Sequence, residues 1–307
     1  MLHVRRRAVI PTIVAFVILA TLALAPAATA TFPDRNGRIA FQAQTNHGIQ
    51  IFTVRPNGRD LRQITHVDGD ATGPDWSPDG RRLAFTLNDC SVAIIDADGG
   101  DLTVIADDEG LCQSDPSFTP DGTRLVFGHF DWLGTGAHEV WSMKLDGSDK
   151  RVVTGAGETD PNVSPDGQML SFKGPDDEGL FVQNMDGSGL TLVSPFVYVA
   201  FKSDWAPDGQ HIIFSDIADP RPDQAVNIAT VRPDGSDLQY ITHYPAPVIA
   251  YVGGYSPDGQ WIVFRLVKDG SSTVYRMRPD GSDLHAILPS SSTFIARNID
   301  WGPAARD

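Results

Sequence analysis

Two cysteines are all that this chain of 307 residues contains, and its 24 lysines and arginines face 39 aspartates and glutamates. Two thiols cannot build a common structural zinc site, which takes four ligands in tight pairs. The shortage of basic charge argues against nucleic acid as a partner and against an anionic membrane surface. No stretch past residue 30 has the apolar spacing of an amphipathic helix. No Gly-x-Ser-x-Gly motif is present, so the nucleophile elbow of an α/β peptidase is absent as well.

What is there begins with a leader. MLHVRRR, the apolar run AVIPTIVAFVILATLALA and the small-residue segment APAATA have the layout of a secretory signal, with Ala28-Thr29-Ala30 fitting the cleavage rule. Residues 1–30 are therefore expected to be a signal peptide, or else a retained anchor, because the run is nearly long enough to span a bilayer. Pro11 and the small-residue site favour cleavage, leaving residues 31–307 as one domain without stable membrane insertion. Cleavage removes three arginines and no acids, so the remainder carries 21 basic against 39 acidic residues, a formal charge of −18. Export makes a disulfide between Cys90 and Cys112 the default expectation.

A repeat runs through everything that follows. WSPDGRRLAF (76–85), FTPDGTRLVF (118–127), VSPDGQMLSF (163–172), WAPDGQHIIF (205–214) and YSPDGQWIVF (255–264) are five copies of one pattern, spaced 42, 45, 42 and 50 residues apart. Between them lies a second pattern, clearest as RPDGSDL at 232–238 and 278–284. Each unit reads as four short strands with two Asp-Gly hairpin corners, in which Pro presets φ and Gly supplies the left-handed residue. Ten acids (Asp79, Asp98, Asp121, Asp146, Asp166, Asp186, Asp208, Asp234, Asp258 and Asp280) thereby acquire a backbone rationale rather than a chemical one. The loop 96–101 lacks the distal Glu of a calcium hand.

Four strands in about 45 residues is the size of a propeller blade. The stretch 38–65 supplies the outer three strands of a unit, and NIDWGP (298–303) supplies a first strand. Joined, they make a sixth blade, which predicts an all-β, six-bladed β-propeller of four-stranded antiparallel blades closed by the C-terminal strand. Trp76, Phe118, Val163, Trp205, Tyr255 and Trp301 occupy equivalent positions and are expected to pack between blades.

Repeated W-S-P-D-G-x-x-x-A-F followed by D-G-S-x-L resembles the PD40, or WD40-like, repeat of TolB-type β-propellers, over about residues 34–303. The resemblance implies an exported, periplasmic or extracellular propeller that works by binding partners and can hold ions in its channel. Family members of the TolB type place an α/β domain before the propeller; here only a few residues separate the leader from the first strand, so that domain is expected to be missing. The same repeat fronts prolyl-oligopeptidase-like peptidases and forms pectate-fragment lyases.

Both Asp-Gly corners fall on one face of the disc, which leaves connections of varying length on the other, where binding usually sits. Cys90 and Cys112 map to that variable face. So do His129, Asp131, Trp132 and His138 in 128–139, Phe196 and Tyr198 in 194–203, and His243, Tyr244 and Tyr251 in 243–254. Of these, His129, Asp131, Trp132, Phe196, Tyr198, His243, Tyr244 and Tyr251 form a candidate partner-binding rim, unless the loops fold over the channel as a plug. Asp75, Asp204 and Asp300 stand one residue before the inter-blade aromatic, while Asp115 and Asp160 stand three before it. In a strand both offsets face the same way, so the five are candidate ligands for a hard cation such as Ca²⁺; alternatively each bonds the backbone of the next blade. No cofactor is otherwise required. The sequence thus supports a monomeric, non-catalytic binding or scaffold propeller for a protein, peptide or glycan. The alternative is a metal-assisted hydrolase, lactonase or lyase acting at the channel mouth.

Overall fold

The computed structural model describes residues 35–108, 110–131, 138–155, 159–174, 179–195, 202–216 and 225–305, and their strands assemble into six four-stranded antiparallel sheets. The chain opens with β1 (Asn36–Thr45), β2 (Gly48–Val54) and β3 (Arg62–Gln63). Blade 2 follows as β4 (Ala71–Trp76), β5 (Arg82–Leu87), β6 (Ser91–Asp96) and β7 (Thr103–Ala106), and blade 3 as β8 (Leu111–Phe118), β9 (Arg124–Asp131), β10 (Glu139–Lys144) and β11 (Arg151–Thr154). Blade 4 is β12 (Thr159–Val163), β13 (Met169–Lys173), β14 (Leu180–Asn184) and β15 (Thr191–Ser194); blade 5 is β16 (Asp204–Trp205), β17 (Ile212–Asp216), β18 (Asn227–Val231) and β19 (Gln239–Tyr240). Blade 6 is β20 (Ile249–Tyr255), β21 (Ile262–Lys268), β22 (Ser271–Met277) and β23 (His285–Ser291), and the last strand, β24 (Arg297–Pro303), returns to blade 1.

There β24 takes the innermost place beside β1, with Ile39 opposite Trp301 and Ala40 opposite Asp300. The termini therefore share one sheet and the ring has no free inner edge, as the sequence predicts. Asn36 adds a latch to blade 6, donating to Asp258 and accepting from its backbone N–H.

The second strand of each blade is buried on both faces, because a propeller blade is covered by a neighbour on either side. That is why RLAF, RLVF and HIIF read as continuous apolar runs rather than a polar–apolar alternation. One phenylalanine per blade (Phe41, Phe85, Phe127, Phe172, Phe214 and Phe264) is at most 1% exposed. Each belongs to the apolar cluster facing the preceding blade: Phe85 packs with Ala40 and Ile51 of blade 1, Phe127 with Val92 and Ile94 of blade 2. Trp76, Phe118, Val163, Trp205, Tyr255 and Trp301 fall in the same inter-blade clusters.

The corners behave as their chemistry requires. In the first turn type, Asp79 accepts from the Ser77 hydroxyl and from the Arg81 N–H, and Gly80 has φ +68°. The glycines of these turns also make a belt around the channel. Gly122 lies against Pro78, Gly167 against Pro120, Gly209 against Pro165 and Gly259 against Pro207, always the proline of the preceding blade. In the second turn type a Cβ on Gly58, Gly99, Gly147 or Gly281 would run into the carbonyl oxygen of Ile287, Ile64, Ile105 or Ile241, in or just past the preceding blade's outer strand. These glycines thus serve twice, for positive φ and for close backbone approach between blades.

Five further acids owe their place to geometry. Asp60, Asp101, Asp149, Asp237 and Asp283, each next to the second turn, all have φ between +49° and +59°. Asp tolerates that region better than most residues; where blade 4 departs from the pattern, the residue is Gly189, φ +71°.

Candidate functional site

The channel is lined by the first strand of every blade, and two positions on each strand define it. The position just before the inter-blade aromatic holds Asp300, Asp75, Ser117, Asn162, Asp204 and Gly254 in blades 1 to 6. Its carboxylates reach the next blade: Asp300 accepts from Trp76 N–H at 2.8 Å, Asp75 from Phe118 N–H at 2.9 Å and Asp204 from Tyr255 N–H at 2.7 Å. Gly254 is required by this contact, since a Cβ there would stand 2.6 Å from Asp204 Oδ2. These three aspartates are inter-blade clasps, the second of the two roles the sequence allowed them.

Two residues earlier stand Asn298, Gly73, Asp115, Asp160, Lys202 and Val252. The first four are left-handed, with φ between +44° and +60°, and the ladder shifts register beside them, between Thr72 and Asp75, Ser114 and Ser117, and Thr159 and Asn162. A bulge of this kind rotates the strand, so counting residues along an ideal pleat does not carry from Asp115 and Asp160 to Asp75, Asp204 and Asp300. Among the described residues no group of three or more His, Cys, Asp or Glu is placed to hold a metal ion.

Asp204 Oδ1 accepts from Trp205 N–H at 2.9 Å, whereas the second oxygens of Asp75 and Asp300 meet Lys202. Its ammonium lies 3.0 Å from Asp300 Oδ1 and 3.5 Å from Asp75 Oδ1, and the three side chains keep only 13–20% exposure. Burial pushes Asp75 and Asp204 up to about 7 against the pull of Lys202, and it raises Asp115 as well. Burial alone would lower the Lys202 ammonium, but Asp300, Asp75 and Asp204 more than reverse this and raise it. Cavities lie to either side of this cluster. A funnel with a cavity volume of about 70 Å³ opens at the Pro-Asp-Gly side, walled by Trp76, Phe118, Trp205, Tyr255 and Trp301 with Asp75, Asp204 and Asp300 among its lining. A smaller cavity of about 30 Å³ on the variable side is bounded by Asp75, Asp115, Asp160 and Lys202. Lys202 escapes a motif search because it is a single residue; the one signal is a base at a position filled elsewhere by Gly, Asp, Asn or Val.

On the variable face, Cys90 and Cys112 are bonded to each other and tie blade 2 to blade 3, and Gln113 N–H donates to the Cys90 carbonyl at 3.0 Å. His129 is a residue of β9 rather than of a loop; it is 9% exposed, stacks on Trp141 at 4.4 Å, and burial lowers its pKa. Asp131 ends that strand, and next to it Phe130 stacks on His138 at 5.0 Å. Trp132, Phe196 and Tyr198 lie outside the described residues. His243 is exposed. Tyr244 is held by its N–H donating to Asn227 and by packing against the core between blades 5 and 6, while Tyr251 lies beneath the Arg265 guanidinium at 4.1 Å. The described members of the predicted rim thus belong to blade 3 and to blades 5 and 6, not to one cluster.

Several comparisons bear on this architecture. An uncharacterized protein of Agrobacterium fabrum, Atu1656, is 24% identical over 258 residues, covering 83% of this chain and 68% of its own. TolB from Acinetobacter baumannii superposes with a TM-score of 0.70 at 18% identity, over 87% of this chain and 67% of that one. An oligogalacturonate lyase in complex with manganese superposes with a TM-score of 0.58 at 16% identity, over 81% of this chain and 73% of the lyase. These structural likenesses are likenesses of fold. The family model described as PD40, TolB beta propeller domain, matches residues 18–177, just over half of the chain. With six blades closed by a shared sheet and that match, the chain belongs to the TolB β-propeller (PD40) family.

Proposed function

We propose that this chain is an exported, non-catalytic binding propeller that engages a protein, peptide or glycan through its variable-loop face. The observation that carries the reading is the contrast between the two faces. On the corner face the Pro-Asp-Gly turns of blades 2 to 6 are built alike, the turn aspartates accept hydrogen bonds within their own turns, and glycine-to-proline contacts link blade 2 through to blade 6. On the other face the connections differ from blade to blade and, among the described residues, present His243 and the Phe130–His138 stack. Surfaces of varied composition on a rigid frame are where recognition is ordinarily placed. The Cys90–Cys112 bond on the same face fits a protein working in an oxidising compartment. The oligogalacturonate lyase shares the fold, yet the channel carboxylates of Asp75, Asp204 and Asp300 are here engaged by backbone N–H groups and, for Asp75 and Asp300, by Lys202. Binding is therefore favoured over metal-assisted hydrolysis or lyase chemistry.

Site-specific photo-crosslinking in the exported fraction of the native cell tests this. A crosslinker at His243 or Trp132 should capture a discrete partner, and one at Leu238 on the corner side should not. Capture at Leu238 with none at the other two positions would move the site to the opposite face.

A further inference from the structure

We propose that Lys202 is the resident cation of the channel, an ammonium tethered to blade 5 that occupies the place a bound metal ion would take. Asp75, Asp204 and Asp300 each use one oxygen to clasp the next blade. The remaining Oδ1 atoms of Asp75 and Asp300 converge on the Lys202 ammonium, at 3.5 and 3.0 Å. Asp204 stands two residues along the same strand. Three carboxylates so enclosed repel one another and need a positive charge among them. A hard divalent ion could supply it through oxygen ligands; here the chain supplies it.

The donor set agrees with the tether rather than with a metal. The Oδ1 atoms of Asp75 and Asp300 are already within hydrogen-bond reach of Nζ, while Asp204 Oδ1 accepts from Trp205 N–H, so a metal ion gains the first two oxygens only where the ammonium is removed. The placement has a mechanical side. Blade 5 is opposite blade 2 in a ring of six, so the Lys202–Asp75 contact spans the channel, and Lys202–Asp300 carries the tie to the blade that holds both termini. Lys202 lines the cavity on the variable side, and the carboxylates that it engages, Asp75 and Asp300, line the funnel on the corner side.

The test uses the full chain, freed of metal by chelator, in native form and as Lys202→Met, titrated with Ca²⁺ alone and followed by calorimetry and thermal unfolding. The native protein should bind no Ca²⁺ in the channel and melt at the same temperature with and without it. Lys202→Met should melt lower and bind one Ca²⁺ at least tenfold more tightly than the native chain, with a rise in melting temperature; adding Asp300→Asn should abolish that binding. A native protein that holds a stoichiometric ion lost on Asp75→Asn, or a Lys202→Met variant that melts as the native or ignores Ca²⁺, overturns the proposal. Should Lys202→Met fail to fold, Lys202→Met/Asp300→Asn decides: a folded double variant supports a charge role, and an unfolded one overturns it.

Discussion

Phe127 is fully buried between blades 2 and 3, with its equivalents at the same place in the other blades. Truncating so large a side chain in a packed interior costs about 3–5 kcal/mol. Phe127→Ala should lower the unfolding free energy by that amount in a denaturant titration; a loss below about 1 kcal/mol would show that the blades pack loosely. Charge at the residue scale acts through pH. Asp75 and Asp204 are raised to about 7 by burial, so they take up protons on folding. Their contribution to stability is full below about pH 4 and disappears as the pH rises towards 7. Asp60 and Asp149, held down to about 2 by Arg62 and Arg38 and by Arg151 and Arg124, work in the opposite sense and lose their contribution as the pH falls below about 4. Asp204→Asn keeps an acceptor for Tyr255 N–H but no longer titrates. Its stability should fall less steeply than the native protein's between about pH 4 and 7, by the slope of up to one proton. Parallel profiles would show that Asp204 is ionised throughout.

At the scale of elements, blades cohere through corners as much as through cores. Second-turn glycines such as Gly147 lie against carbonyls at the outer edge of the preceding blade, and the first-turn glycines Gly122, Gly167, Gly209 and Gly259 lie against the proline of its first turn, so one hairpin corner positions two sheets. The disulfide joins the entry to β6 with β8 across a separation of 22 residues. A loop of that size contributes about 3 kcal/mol by restricting the unfolded chain. Cys90→Ser/Cys112→Ser should therefore unfold about 3 kcal/mol more easily in urea while keeping its native circular dichroism; equal stability would mean that the thiols are unbonded in solution. The hairpin corners were legible because Pro-Asp-Gly carries its own φ preferences. The bulges at Gly73, Asp115 and Asp160 were not, since a register shift depends on what the facing strand offers and leaves no periodic trace.

The whole molecule depends on closure. β24 holds the inner place in blade 1, with Trp301 packed against the cluster shared with blade 6 and Asp300 clasping blade 2. Deleting residues 296–307 removes all three contacts, and several kcal/mol lost from a domain of this size should lower the melting temperature by roughly 10 °C or more. An unaltered melting curve would mean that the ring stands without its last strand.

From the sequence alone came the fold class, the blade count, the shared terminal sheet and the scaffold role of ten turn aspartates, because all of these rest on local turn geometry and on a period repeated along the chain. The clasps from Asp75, Asp204 and Asp300, the Lys202 strut among them and the burial of His129 and Tyr244 were decided only by tertiary structure. They join residues far apart in sequence, and whether a carboxylate meets a metal, a backbone N–H or an ammonium is settled by what the opposite blade brings into reach.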